Sequence, residues 1–94
     1  VTGLKYDDGK ILAALLKDFS PALADVAAVG TFGAKKYTRG NWLFVEDGAQ
    51  RYEDALWRHL LQDGADPESG LDHLAHAAWN ILALITLKSK GDGA

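Results

Sequence analysis

Cysteine is absent from the sequence, which excludes disulfides and thiolate-held metals and leaves the redox compartment unreadable. Positive charge is not in excess: ten Lys and Arg stand against thirteen Asp and Glu, a formal net charge of −3. That balance argues against a general binder of the phosphate backbone, and no nucleic-acid polymer is expected as a partner. A nucleotide ligand stays open, because a bound metal can supply local positive charge. Long apolar runs are also missing. The longest, from Ala77 to Leu87, is shorter than the ~20 residues that span a bilayer and is interrupted by Asn80. No basic stretch followed by an apolar run marks a secretory signal, so a soluble cytoplasmic protein with no membrane partner is expected. Proline occurs twice, at Pro21 and Pro67, and both positions suit the first turn of a helix.

What is present is apolar and helix-patterned. Hydrophobic residues make up 48% of 94 residues, enough for one packed core and too many for a disordered chain. A domain of this size buries only about 60–65% of its unfolded surface, so self-association into a homo-oligomer is expected. Residues 1–94 read as one domain, with a polar arm over 1–9 and a glycine-rich tail over 88–94. Ile11, Leu12, Leu15, Leu16 and Phe19 predict a short helix from Lys10 to Phe19. Ser20-Pro21 predicts a capped helix start, with an apolar stripe running to about Lys36. Gly30 and Gly33 weaken that helix by about 1 kcal/mol each, and their expected use is a close approach or a break. Tyr37 to Ala49 reads as a loop. Tyr52, Ala55, Leu56, His59 and Leu60 mark the inner face of a helix from Gln50 to about Gln62. Asp66-Pro67 predicts the start of the last helix, running to about Leu87. No strand pattern is strong enough for a sheet. The expectation is an all-α fold, a bundle of about four helices completed by oligomerisation.

Polar residues on apolar helical faces are the candidates for chemistry. His73, His76 and Asn80 share one face of the last helix. They could be metal ligands, nucleotide contacts, or buried groups satisfied by internal hydrogen bonds. His59 can face them across an antiparallel helix pair. Arg58 reads either as an ion pair with Asp54 or as a phosphate clamp. Glu68, Asp72 and His76 recur at intervals of four. Carboxylates so aligned can hold Mg²⁺ through oxygen, while acids in a first turn also simply complement the helix dipole. Glu68 and His76 are expected to face a cleft near His59 and His73, with His76 exchanging a proton or binding metal. Lys35 and Lys36, followed by Asn41-Trp42, could hold phosphates and stack a base, or Trp42 could simply cover the core.

Gly3-Leu4-Lys5-Tyr6-Asp7, Thr31-Phe32-Gly33-Ala34-Lys35-Lys36-Tyr37, Asn41-Trp42, Arg58-His59 and the run from Asp66 to Ala77 together resemble a known family. It is the phage dATP/dGTP diphosphohydrolase N-terminal family, MazZ-like and related to the MazG-like all-α nucleotide pyrophosphohydrolases. The resemblance implies an oligomeric enzyme of the host cytoplasm that converts a purine deoxynucleoside triphosphate to monophosphate and pyrophosphate with Mg²⁺ or Mn²⁺. The Glu-x-x-Glu and Glu-x-x-Asp pairs of MazG-type enzymes are not found here. Glu53, Asp54, Glu68 and Asp72 are the available acids, joined by His59, His73 and His76. From these, Glu68, His76 and His59 are expected in catalysis. Glu53, Glu68, Asp72, His73 and His76 are expected at metal, and Lys35, Lys36, Asn41, Trp42, Arg58 and Asn80 on the purine deoxynucleotide. The alternative is a non-enzymatic phage helical protein that binds a nucleotide or a partner protein.

Overall fold

A computed structural model describes residues 2–91. The fold is all-α, with three α-helices among the described residues: α1 (Ser20–Lys36), α2 (Gly48–Leu60) and α3 (His73–Ser89). Short 3₁₀ helices cover Ala13–Phe19 and Asn41–Phe44. α3 is the central element, packing along α2 and, less extensively, along α1. No described helix is long and apolar enough to cross a membrane.

The expected first helix is where the count falls from four to three. Residues 13–19 form a 3₁₀ helix with no buried residue. A helix this short is marginal without tertiary packing, and nothing packs on it here: Leu15, Leu16 and Phe19 are all exposed. α1 begins at the predicted place, but Ser20 does not cap it. Its hydroxyl donates backward to the carbonyl of Lys17 at 2.6 Å.

The last helix starts later than predicted, at His73 instead of Pro67. Asp66 heads a turn, not a helix, and its Oδ1 accepts the Glu68 N–H at 2.7 Å. The chain then folds back on itself. The Asp66 N–H donates to the carbonyl of Leu71 at 2.8 Å, and the His73 N–H donates to the carbonyl of Gly64 at 2.9 Å. An isolated antiparallel bridge joins Ala65 to Asp72. Gly64 and Gly70 both take positive φ, which lets the loop close tightly. Asp72 is the true cap, accepting the Leu74 N–H at 2.8 Å. At the other end α3 runs through Ser89, into the predicted tail, whose residues 92–94 lie outside those described.

The core is small. Val26 and Val29 of α1 are buried with Ala75, Ala77, Ala83 and Leu87 of α3. Alanines let the helices approach closely and leave room for buried polar groups: His73, His76 and Asn80 are also buried. α3 is apolar around most of its circumference, so its outer face leaves Leu74, Ile81 and Ile85 exposed.

Candidate functional site

An open cleft of about 1290 Å³ lies between α1, the connection after it, α2 and the middle of α3. Trp42 forms one wall. It is fixed edge-on against Tyr52 and Trp79, with ring centroids 6.3 and 6.0 Å away. The Tyr52 hydroxyl donates to the Trp42 carbonyl at 2.6 Å, which ties the 3₁₀ turn to α2. Asn41 and Asn80 also line the cleft, with Arg39, Arg51 and Arg58 against Glu46 and Asp54. Three guanidinium groups against two carboxylates make this a locally cationic surface on an acidic chain. Aromatic faces for a base and guanidinium forks for phosphate are the chemistry a nucleotide needs. Arg58 makes no ion pair with Asp54 among the described residues.

Beside the cleft, α2, the 64–73 loop and the first turn of α3 bring three imidazoles and a carboxylate together. Nδ1 of His59 and Nδ1 of His73 are 2.9 Å apart, so one ring donates to the other. His59 stacks on His76 with centroids 4.4 Å apart and planes 13° from parallel. The Nε2 atom of His76 and the Ser69 hydroxyl share a 2.6 Å hydrogen bond, and the same hydroxyl oxygen accepts the Leu71 N–H. Asp66 Oδ2 lies 3.9 Å from His59 Nδ1. Burial, with the neighbouring imidazoles second, pushes the His59 pKa below its ordinary value. Burial likewise lowers that of His76. The Glu68 N–H bond holds Asp66 below the usual carboxylate range. His59 and His76 are therefore neutral bases beside an ionised Asp66 near pH 7.

Of the residues predicted for substrate, Asn41, Trp42, Arg58 and Asn80 line the cleft, whereas Lys35 and Lys36 do not. Lys36 instead bonds Glu68 at 2.5 Å and lies over the rings of Phe32 and Tyr37. Asn80 donates its amide to the His76 carbonyl at 2.9 Å. The expected approach of His59, His73 and His76 is found. Glu68 does not join them, because Lys36 holds its carboxylate at the surface. Asp72 is occupied as the cap of α3, and Glu53 is exposed on α2. The acid that does reach the histidines is Asp66, which the sequence presents only as a turn-and-cap residue. Arg39, Arg51 and Trp79 were also not legible, since nothing in their local spacing shows that they meet across the cleft.

A family model described as dATP/dGTP diphosphohydrolase, N-terminal, matches residues 1–94. A dATP/dGTP diphosphohydrolase of Salmonella phage PMBT28 is 36% identical over 92 residues. The match covers 93% of this chain and 30% of the relative, so the chain spans less than a third of that protein's length. No solved structure gives a significant match.

Proposed function

This chain belongs to the dATP/dGTP diphosphohydrolase N-terminal family, and we propose that it acts in hydrolysis of a purine deoxynucleoside triphosphate to the monophosphate and pyrophosphate. The observation that supports this reading is the cleft itself: an anchored indole, buried Asn80 and three arginines open beside the histidine cluster. In this reading Trp42 stacks the purine and Arg58 grips phosphate oxygens, with Arg39 and Arg51 adding charge. Water attacks the α-phosphorus, the bond to the bridging oxygen breaks, and pyrophosphate leaves. His76, neutral and stacked on His59, is the base available to take the proton from water.

Dependence on a divalent cation is part of the proposal. Such an ion neutralises charge on the triphosphate when bound. Mg²⁺ calls for oxygen donors, and Glu53, Glu68 and Asp72 do not converge. The acids expected at Mg²⁺ or Mn²⁺ therefore do not assemble with His73 and His76, and no step is routed through such a centre. That same scatter of acids favours a second reading, in which this domain binds the nucleotide without cleaving it.

A panel of deoxy- and ribonucleoside triphosphates, incubated with the chain and Mn²⁺, separates the two. Release of pyrophosphate and monophosphate from dATP or dGTP is expected. Saturable binding of those nucleotides with no pyrophosphate supports the second reading, and neither binding nor release overturns both.

A further inference from the structure

We propose that His59, Asp66 and His73 form a single-ion centre for a first-row transition metal, of the Mn²⁺ to Zn²⁺ class, and not for Mg²⁺. One donor atom from each residue lies within 4.8 Å of the others, and no other described group of His, Asp and Glu converges in this way. The two Nδ1 atoms are 2.9 Å apart. Two nitrogens each about 2.1 Å from an ion and meeting there at a right angle are separated by about 3 Å. The imidazole pair therefore already has the bite of two neighbouring ligands, once the ion takes the place of the proton shared between the two Nδ1 atoms and the donor ring carries its hydrogen on Nε2 instead. Asp66 Oδ2, 3.9 Å from His59 Nδ1, already lies inside the roughly 4.2 Å that two ligands of one ion can span.

The surrounding chain holds these donors in place. Asp66 Oδ1 is taken by the Glu68 N–H, which turns Oδ2 toward His59. The closed loop from Gly64 to His73 carries both Asp66 and His73, so their separation is set by backbone hydrogen bonds. His76, stacked on His59 and anchored by Ser69, fixes the plane of the His59 ring. His76 is thus a positioning residue for this centre. Two imidazoles and one carboxylate select borderline ions over the hard Mg²⁺, which prefers oxygen and keeps its waters. Three protein donors leave coordination positions open for water or a phosphate oxygen. Arg58, the neighbour of His59, lines the adjoining cleft.

This inference goes beyond the hydrolase reading and is tested without nucleotide. The chain is titrated with Co²⁺, followed by visible absorption, and with Mn²⁺ and Mg²⁺ by calorimetry. One Co²⁺ per chain is expected, with Mg²⁺ at least about 100-fold weaker. Asp66→Asn and His59→Gln should each weaken Co²⁺ by about tenfold or more. Circular dichroism checks that both variants remain helical, and His59→Gln, at a partly exposed site, serves if Asp66→Asn fails to fold. No Co²⁺ uptake by the wild-type chain would reduce the cluster to a hydrogen-bonded imidazole pair and overturn the proposal. So would uptake that survives both variants but is lost in Glu68→Gln, or equal affinity for Mg²⁺. Failure of hydrolysis with Co²⁺ uptake intact would count against the hydrolase reading alone.

Discussion

Gly30 of α1 lies against the indole of Trp79 on α3, so closely that a β-carbon at residue 30 would stand 2.7 Å from Trp79 Cη2. The glycine is what lets α1 close on α3 at the floor of the cleft. Gly30→Ala should therefore displace Trp79. Overpacking of this kind costs about 1–3 kcal/mol, against a gain of about 1 kcal/mol in helix propensity. A lowered Tm and an altered tryptophan emission are expected. Gly33→Ala meets nothing within 4 Å and should raise the Tm, so equal responses at the two positions would sink this account.

Arg58→Ala should weaken nucleotide binding more than it weakens folding. The side chain is exposed at the cleft and has no ion-pair partner among the described residues. A charge-assisted bond to phosphate contributes about 1.5–3 kcal/mol, equivalent to a ten- to hundredfold loss of affinity. Affinity by calorimetry and Tm by circular dichroism decide the matter. A large drop in Tm with affinity unchanged would make Arg58 a structural residue.

Acid should destabilise the metal-free chain through its histidines before its carboxylates. His59 and His76 have folded pKa values below the ordinary 6.5. The unfolded chain then binds more protons in the interval below 6.5, so stability is full above that value and falls as the pH drops through it. Asp66, with its folded pKa also lowered, contributes stability that is lost only below the ordinary 3.8. The Tm should be flat above about pH 7 and decline as the pH falls below about 6.5. Replacing His59 by Gln should flatten that decline, and an unchanged slope would remove His59 from the explanation.

Self-association through the outer face of α3 is the fourth expectation. Leu74, Ile81 and Ile85 are exposed there, seven and four residues apart on one helical face. Light scattering at micromolar concentration should report a mass above one chain, and Ile85→Asp should reduce it. A wild-type monomer would be decisive against the idea.

The helical pattern was legible wherever tertiary packing agreed with periodicity. α1 and α2 fall within a few residues of their predicted bounds because their apolar stripes face α3. Residues 10–19 show the same periodicity and have no surface to pack on, so the spacing alone overstates them. The alignment of His73 and His76 opposite His59 follows from helix geometry and could be read directly. Asp66 could not: its place beside His59 depends on the return of the 64–73 loop, made by backbone bonds that local side-chain spacing does not encode. Glu68 misled for a related reason, since Lys36, 32 residues away, claims its charge.

The 2.9 Å approach of His59 to His73 joins residues 14 apart in the chain. A metal ion shared by those rings would stitch α2 to α3 and restrict the unfolded ensemble, as a cross-link does. By the loop-closure argument a tether over about 15 residues contributes up to about 3 kcal/mol. In a chain with no cysteine and a small core that is half alanine, the ion would then act as a removable staple. Cellular supply of that ion would set how much of the protein is folded, separately from any effect on its chemistry.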